Sequence, residues 1–487
     1  MKEIDLVVIG GGAAGMAAAV SARRNGVQNI LILERNSSLG GVLQQCIHNG
    51  FGLHRFGEDL TGVEFAAKYA DRVKELEIPY LLNTFVIELR PDKTLTAVSP
   101  EEGLMEIRAK AIVLAMGCRE RSRNALLIPG ARGAGIMTAG TAQRYLNIDG
   151  YLPGRRIVIV GSGDIGLIMA RQFVLEGCEV AAVVEIMPFS GGLPRNMKQC
   201  IEDFNIPVYY DAVIAEVRGK ERVSSVLVGK VDENRRLIRG TEFEIPCDTL
   251  LISAGLIPEN ELTESAGIAM SRATKGAVVT EDLQTSVPGI FSCGNVLHVH
   301  DLVDFVSEEG EEAGRNAAAY LLGQEERRNQ EKHFDPEKDR AQTIRCEQEK
   351  NRGRKTRCDS EGVESNAAPA ADTAETWNAP SGKTAEKTGE KAKAAVIPVL
   401  SGAGVGGIVP QSVRRDTSLP EISFMFRPRS RWRDAVITAR TGSGDKPLLQ
   451  KRFLALTPGE MCKITIPAKK LEDAQEIIFD IDGSPVP

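Results

Sequence analysis

Two glycine-rich clusters of identical spacing are the residues of this 487-residue sequence best suited to bind a charged ligand. Each has the pattern G-x-G-x-x-G and is followed, 24 positions after its first glycine, by a glutamate. In this pattern the first glycine permits a tight turn, the second lets a pyrophosphate approach the backbone, and the third lets the next helix pack closely. The clusters are Gly10, Gly12, Gly15 with Glu34, and Gly161, Gly163, Gly166 with Glu185.

The stretches around each cluster predict the strand–turn–helix unit that such a site needs. A β-branched run precedes the glycines, a helix-forming stretch follows them, and a second apolar run ends at the glutamate. Ala13 and Ala14 begin the first helix, and Asp164 and Ile165 begin the second, so N–H groups there would face a bound phosphate. The predicted elements are strands 6–9, 30–33, 157–160 and 180–184, and helices 13–25 and 165–176.

The two glutamates indicate which nucleotides bind. A carboxylate at this position accepts hydrogen bonds from ribose hydroxyls and repels a 2′-phosphate. After Glu185 come Ile186, Met187 and Pro188, with no arginine to bind that phosphate, so the second site is predicted to take NAD(H) rather than NADP(H). One cluster alone could be a glycine turn that binds nothing, but two clusters with two glutamates favour two bound dinucleotides.

Composition and cysteine usage narrow the class of protein. The formal net charge is −6, from 60 basic and 66 acidic residues, which argues against nucleic acid or an anionic membrane surface as a partner. We expect no membrane-spanning helix and no signal peptide, because long apolar runs are absent and a strand begins almost at residue 1. Nine scattered cysteines fit reduced thiols in a cytoplasm, and no metal site is expected.

The pattern along the chain predicts an α/β fold. Two Rossmann-like domains, each with a parallel sheet in a three-layer arrangement, are followed by a small C-terminal all-β module. A segment rich in Lys, Glu, Ala, Thr and Ser, predicted to be a flexible linker, separates the module from the domains. The predicted boundaries are 1–120 with 286–323 for the first domain, 150–260 for the second, 324–394 for the linker and 395–487 for the module.

Roughly residues 3–322 resemble the two-dinucleotide flavoprotein family that includes thioredoxin reductase and lipoamide dehydrogenase. The motifs that carry the resemblance are GGGAAG at 10–15, AMG at 115–117, SAGLIPEN at 253–260 and TSVPGIFSCGN at 285–295. The resemblance implies FAD in the first domain, NAD(H) in the second, and an oxidoreductase that passes a hydride between them.

The resemblance also assigns residues to each cofactor. One motif departs from the family, which usually has Gly-Asp where this chain has Gly-Asn; the asparagine keeps an oxygen acceptor but loses the charge. The residues assigned to FAD are Gly10, Gly12, Ala13, Ala14, Gly15, Glu34, Arg35, Gly40, Gly41, Val86, Ala115, Gly117, Gly294 and Asn295. Those assigned to NAD are Gly161, Gly163, Asp164, Ile165, Gly166, Glu185, Ala254 and Gly255.

Sulfur marks a larger departure from this family. Members that reduce disulfides have a redox-active cysteine pair, either C-x4-C after the Gly-Gly of the FAD domain or C-x-x-C just before the second glycine cluster. Here Gly40 and Gly41 are followed by Cys46 alone, and residues 135–146 contain no cysteine. Disulfide reduction by an internal pair is therefore not expected.

Three residues are candidates for chemistry beside the flavin. Cys46 could be a charge-transfer thiolate or a single redox thiol whose pKa is lowered by His48, or both residues could be structural. His300 precedes a predicted helix at 301–322, whose N-terminus would face the flavin in the resembled fold. It could donate a proton there, or simply stand at the helix entry.

A narrower resemblance concerns GGVLQQCIHNGFG at 40–52, MTAG at 137–140 and the C-terminal module. These are similar to bacterial flavoprotein subunits of the opine oxidase, hydrogen cyanide synthase and glycerol-3-phosphate-dehydrogenase-associated group. The resemblance implies a hetero-oligomeric dehydrogenase with a partner flavoprotein or an iron–sulfur subunit. Two alternatives stay open: a stand-alone NADH oxidase or NADH:acceptor reductase that uses Cys46, and a non-catalytic nucleotide-binding assembly subunit.

Overall fold

Two sheets flanked by helices build the two nucleotide domains that the sequence predicts. The computed structural model describes residues 1–333, 396–442 and 447–486. No helix in these ranges is long and apolar enough to cross a membrane. The helices are α1 (Ala13–Arg24), α2 (Gly62–Glu75), α3 (Ala139–Arg144), α4 (Asp164–Leu175), α5 (Pro194–Cys200), α6 (Glu261–Ser265) and α7 (Val303–His333).

The first sheet presents the first glycine cluster at the end of a central strand, β1, whose last four residues are buried. Its strands and a small adjoining hairpin are β1 (Lys2–Ile9), β2 (Ile30–Leu33), β3 (Asn49–Phe51), β4 (Leu60–Thr61), β5 (Tyr80–Leu81), β6 (Phe85–Leu89), β7 (Thr94–Ser99) and β8 (Gly103–Leu114). The order is β5-β2-β1-β8-β7-β6, with β1 parallel to both β2 and β8. The β-branched residues of β1 suit burial on both faces of a parallel sheet.

The second sheet repeats this plan around the second cluster. Its elements are β9 (Cys118–Glu120), β10 (Ile136–Thr138), β11 (Arg156–Val160), β12 (Glu179–Val184), β13 (Val208–Tyr209), β14 (Ala212–Gly219), β15 (Val223–Lys230), β16 (Phe243–Pro246), β17 (Thr249–Ile252) and β18 (Leu256–Pro258). The order β10-β17-β11-β12-β13 is parallel throughout. The antiparallel pair of β9 and β18 connects the two domains, after which β19 (Ile290–Ser292) returns to pair with β8.

The C-terminal module is a sandwich of two sheets. Its strands are β20 (Val396–Ser401), β21 (Val405–Val409), β22 (Ser412–Arg414), β23 (Glu421–Pro428), β24 (Arg431–Arg440), β25 (Leu449–Leu456), β26 (Cys462–Pro467) and β27 (Ile477–Val486). One sheet has the order β22-β20-β27-β24-β25 and the other β21-β23-β26. Phe424 and Phe426 of one sheet lie 5.0 and 5.6 Å, between ring centroids, from Phe479 of the other, so the sheets pack face to face.

The module packs directly against the first domain. The buried carboxylate of Glu281 accepts hydrogen bonds from the backbone N–H of Arg414 at 2.8 Å and from its Nε at 3.1 Å. Gln411 and Val279 exchange two further hydrogen bonds, and Val409 joins the hydrophobic core of the first domain. Residues 1–322 and the module therefore form one unit.

Some elements differ from those expected from the sequence. Helix α7 continues to His333, ten residues into the predicted linker, since its Glu-, Gln- and Arg-rich sequence has high helix propensity. The rest of that linker, with Cys346 and Cys358, lies outside the described residues. The sequence pattern predicts no strands where the structure has β14–β16. Ile214, Val226 and Val228 of these strands are buried in a hydrophobic core of the second domain.

Replacing Arg414 with alanine should destabilise the docked module. The Glu281 side chain is 0% exposed, so the variant leaves a buried carboxylate short of its guanidinium partner. A hydrogen bond to a charged group contributes about 1.5–3 kcal/mol, and we expect a loss of that order in the free energy of unfolding. Urea unfolding measures it, with Arg433→Ala, an exposed arginine on β24, as control. Equal stability of the two variants would contradict the assignment.

Candidate functional site

The first glycine cluster turns so sharply that only glycine fits at two of its positions. Gly10 has a φ of +106°, and a side chain there would overlap the carbonyl oxygen of Ala115 at the end of β8. A side chain at Gly15 would overlap the carbonyl oxygen of Gly10. Gly12 differs, because no atom lies within 4 Å of the position its Cβ would take. The N-terminus of α1, which has no side-chain cap, therefore faces open space.

Other residues assigned to FAD lie around this space. Gly40 and Gly41 are both left-handed, and a Cβ on Gly41 would stand 3.3 Å from the Cα of Gly12. Gly294, with a φ of +73°, packs so closely on Ala14 that an added Cβ would lie 2.8 Å from the Ala14 Cβ. Two segments that are distant in the sequence thus pack on the start of α1, and each contacts it through a glycine.

Glu34 holds the glycine turn from behind. Its Oε2 accepts the N–H of Gly11 at 2.7 Å, and its Oε1 accepts the N–H of Asn36 at 2.8 Å. The residue is 4% exposed, so these bonds are shielded from water. Each carboxylate oxygen can accept a second hydrogen bond, so either oxygen of Glu34 could still bind a ribose hydroxyl as predicted.

The remaining residues of this assigned set are more dispersed. Ala13 is buried in the first turn of α1, and Gly117 has a φ of +77° two residues beyond Ala115. Val86 is buried in β6, at the edge of the sheet. The guanidinium of Arg35 pairs with Glu259 at 3.0 Å, an ion pair that joins the first domain to the segment after β18.

The second glycine cluster repeats the geometry of the first. Gly161 has a φ of +95°, and a side chain there would overlap the carbonyl oxygen of Ser253. An added Cβ on Gly166 would lie 2.7 Å from the carbonyl oxygen of Gly161. Gly163, like Gly12, has no atom within 4 Å of its Cβ position, so the uncapped N-terminus of α4 also faces open space.

Glu185 makes the same clamp as Glu34. Its Oε2 accepts the N–H and the hydroxyl of Ser162 at 2.8 and 2.7 Å, and its Oε1 accepts the N–H of Met187 at 2.9 Å. Asp164, assigned to NAD, instead uses its Oδ1 to accept the N–H of Leu193 at 2.8 Å, which anchors the start of α5.

The last assigned residues lie at the domain connection and on the surface. Ala254 and Gly255 lead from β17 into β18, and the carbonyl of Gly255 accepts the N–H of Arg121 at 3.0 Å. Ile165 is 37% exposed on the first turn of α4. Of these residues, Ala254 lies closest to the cluster, with its Cα 3.4 Å from the position that a Cβ on Gly161 would take.

A cavity of about 310 Å³ is bounded by both nucleotide domains. Asp304, at the start of α7, fixes one wall by accepting the N–H groups of Gly52, His54 and Arg55 at 3.1, 3.0 and 2.8 Å. The opposite wall comes from the N-terminus of α5. The lining residues are Gly50, Leu53, His54, Leu193, Pro194, Arg195, Leu302 and Asp304.

Cys46 lies after the Gly-Gly turn, in the segment where one branch of the family has its cysteine pair, and it contacts the segment where the other branch has its pair. Its Sγ is 3.4 Å from the carbonyl oxygen of Val42 and 3.8 Å from Oε1 of Gln143 on α3, which falls in the segment where other family members have C-x-x-C. Burial raises the pKa of the Cys46 thiol to about 12. The seven cysteines in the described ranges are all free.

Of the two alternatives for Cys46 and His48, the structure favours the one in which both residues are structural. The His48 Nδ1 lies 3.0 Å from the backbone oxygen of its neighbour Asn49, and burial is the main reason why the pKa of His48 is lowered. A neutral imidazole bonded elsewhere supplies no cation to the sulfur. These surroundings favour the protonated thiol at Cys46.

His300 belongs to a buried cluster with His298 and Glu309. The Glu309 carboxylate, on α7, is bonded to His298 Nε2 at 2.8 Å, accepts the N–H of Gly294 at 2.5 Å, and lies 3.5 Å from His300 Nε2. Asn295 turns its Oδ1 to the backbone N–H of His300 at 3.0 Å and to its Nδ1 at 3.2 Å. Proton donation by His300 stays a prediction. Glu309 was not identified from the sequence, although acidic residues early in the helix after a Gly-Asn motif were a usable signal.

The C-terminal module reaches this cluster. Arg427 pairs with Asp301, the neighbour of His300, and the N–H of Met461 donates to the other carboxylate oxygen of Asp301 at 2.6 Å. On the second domain the guanidinium of Arg431 lies 4.3 Å from the ring centroid of Phe189, four residues after Glu185. The tertiary structure thus brings an arginine to a region where the local sequence has none.

Comparisons with known proteins agree with this architecture. Residues 4–317 match the family described as pyridine nucleotide-disulphide oxidoreductase. The HcnB subunit of hydrogen cyanide synthase from Pseudomonas protegens is 27% identical over 66% of this chain and 71% of its own length. An opine oxidase subunit of Agrobacterium tumefaciens is 28% identical over 60% of this chain, which spans only 61% of that relative.

Solved structures show the same fold. Thioredoxin reductase of T. acidophilum superposes with a TM-score of 0.55 at 22% identity, over 66% of this chain and 100% of that one. Bacillithiol disulfide reductase of Bacillus cereus gives the same TM-score at 16% identity over the same shares of the two chains. The family match ends before the module. With two glycine clusters that fit dinucleotides and a match over most of its length, this chain belongs to the pyridine nucleotide-disulphide oxidoreductase family and is an oxidoreductase that uses FAD and a nicotinamide dinucleotide.

Proposed function

We propose that this chain is the FAD- and NAD(H)-binding subunit of a hetero-oligomeric dehydrogenase. The observation that carries the proposal is the repeated glycine geometry, in which Gly12 and Gly163 leave the N-termini of two helices open to a pyrophosphate. Bound FAD would supply a two-electron acceptor for hydride, a transfer that requires no general base from the protein.

The chain's own residues would bind and orient the FAD. Gly10 and Gly15 set the turn, Gly12 would admit the pyrophosphate to the start of α1, and Glu34 would accept hydrogen bonds from the adenosine ribose. Gly294 packs on Ala14, and Asn295 follows it in the chain, so this segment is proposed to hold the ribityl chain. In the resembled fold the N-terminus of this helix faces the flavin, and by that analogy the N–H groups at the start of α7 would stabilise the negative charge of a reduced flavin.

The nicotinamide cofactor is proposed to be NAD(H). Glu185 is clamped on the second glycine cluster, and its negative charge opposes a 2′-phosphate. Arg431 is the cation that could offset this effect, but its guanidinium stacks on Phe189. The free cysteines fit a reducing cytoplasm, where NADH is available.

Two matched glycine variants test both assignments. Gly12→Val places a branched side chain in the proposed FAD space, and Gly163→Val does so in the NAD space. We expect the first to purify without flavin, and the second to keep flavin but lose its anaerobic bleaching by NADH. Wild type should be bleached by NADH faster than by NADPH. A flavin-replete Gly12→Val protein, or a wild type that prefers NADPH, would show that the sites are assigned wrongly.

We further propose that the chain does not reduce disulfides through an internal pair. Cys46 has Gln143 rather than a second sulfur beside it. With a pKa of about 12 it carries no charge at neutral pH and cannot form a charge-transfer complex as a thiolate.

The visible spectrum of a Cys46→Ser variant tests this proposal. We expect no long-wavelength charge-transfer band in wild type at neutral and mildly alkaline pH, and the same flavin spectrum in the variant, because the thiol is already protonated. NADH-dependent reduction of a small disulfide should be absent from both. A band that Cys46→Ser abolishes would contradict the proposal, and so would rapid disulfide turnover by wild type.

The proposed role as one subunit of a larger enzyme is supported by two observations. The relatives from Pseudomonas protegens and Agrobacterium tumefaciens are themselves described as subunits. On the module, β25 is an open sheet edge, and its Leu454 is 88% exposed. Exposed edge strands readily pair with other chains, so β25 is a suitable partner surface. A stand-alone NADH oxidase has no need of this module.

A charge placed on β25 tests the partner role. We expect the tagged chain, purified from its native host, to copurify with a partner. The complex should contain more flavin or iron per copy of this chain than the chain alone does. Leu454→Glu should reduce this excess while NADH still bleaches the resident flavin, because Leu454 is 88% exposed and belongs to neither glycine cluster. Leu175→Glu, an exposed leucine on α4, is the control. Turnover of a small organic substrate by the isolated chain at ordinary enzymatic rates would overturn the subunit role.

A further inference from the structure

The cluster of His298, His300 and Glu309 offers three ligand atoms to one point in the protein interior. Two imidazole nitrogens and one carboxylate oxygen lie within 4.8 Å of one another. Both histidines direct Nε2 at Glu309, at 2.8 Å from Oε1 for His298 and 3.5 Å from Oε2 for His300. The side chains are 7%, 1% and 2% exposed, so water does not screen the carboxylate charge.

His300 points an unsatisfied nitrogen into this cluster. Its Nδ1 lies 3.2 Å from Asn295 Oδ1, which can only accept, so Nδ1 carries the proton and Nε2 of a neutral ring has a lone pair. That Nε2 is buried and, among the residues that the structure describes, has no hydrogen-bond partner. A lone pair 3.5 Å from a carboxylate oxygen is repelled by it unless a positive charge lies between them.

We propose that His298, His300 and Glu309 bind a divalent first-row transition metal ion, with Zn²⁺ and Fe²⁺ as the two ions of matching ligand chemistry. Two histidines and one carboxylate are a common ligand set for both ions. Ligand atoms about 2.0–2.2 Å from one ion are typically about 3 Å apart, which matches the two spacings to Glu309.

The surroundings of the cluster suit metal ligation. Asn295 fixes the ring of His300 from its far side, as outer-shell acceptors do for metal-bound histidines. The Gly294 N–H holds the Glu309 carboxylate in place.

A bound ion would tie the Gly294–His300 segment to α7. The segment and the helix both adjoin the proposed FAD site, but the metal site is defined by its own three ligands. It therefore goes beyond the proposed function, and neither proposal depends on the other.

Metal analysis of the purified full-length chain tests the proposal. Mass spectrometry of the metals, with flavin content measured on the same sample, should find about one Zn²⁺ or Fe²⁺ per chain. After its metal is removed by chelation, the protein should take up Zn²⁺ or, anaerobically, Fe²⁺. The ion that binds more tightly identifies which of the two the site prefers. His300→Ala and Glu309→Gln should lose the metal. His54→Ala removes a histidine outside the cluster, stacked on Phe305, and should retain it.

The wild-type measurement decides the matter even if a cluster variant fails to fold. A flavin-replete wild type that contains neither metal, and that takes up neither ion when it is supplied, overturns the proposal. Retention of the metal by folded Glu309→Gln and His300→Ala proteins would overturn it equally. Loss of flavin in Gly12→Val without loss of metal would separate this site from the FAD site.

Discussion

The structure depends on how closely the backbone of each glycine turn approaches the end of the neighbouring strand. Gly10 packs on the carbonyl of Ala115, and Gly161 packs on that of Ser253, with no room for a side chain. This contact sets the direction in which α1 and α4 leave their strands. The buried glutamates then hold each turn from behind, at 2.7 and 2.8 Å from the backbone N–H of the residue after the first glycine. The free helix N-termini and their open space follow from these two constraints.

Carboxylates near the start of α7 connect segments that are distant in the sequence. Asp304 holds the loop at 52–55, Glu309 binds the Gly294 N–H and His298, and Asp301 accepts bonds from the module. Each carboxylate is partly or fully removed from water, so losing a partner would leave a buried charge unsatisfied. The module is consequently part of the same unit as the nucleotide domains, although the sequence predicts a flexible linker between them.

The family match includes disulfide reductases, but the cysteines that the structure describes do not form the redox pair that those enzymes use. The fold is that of thioredoxin reductase, yet the segments that hold dithiols in that family meet here through Cys46 and Gln143. An amide beside a buried thiol neither accepts an electron pair nor lowers the thiol pKa. A shared fold therefore leaves the reaction open, and the residues at the site have to decide it.

The sequence by itself determined the two strand–turn–helix units, the two clamping glutamates and the strand character of the module. These depend on residues within about 25 positions of one another, where periodicity and glycine spacing act directly. Only the tertiary structure decided which distant side chains meet: Gln143 with Cys46, Glu281 with Arg414, Asp301 with Arg427, and Phe189 with Arg431. Their partners lie about 100 to more than 200 positions away along the chain, so no local pattern records them. Burial, which raises the pKa of Cys46 and lowers that of His48, likewise exists only once the loops have packed.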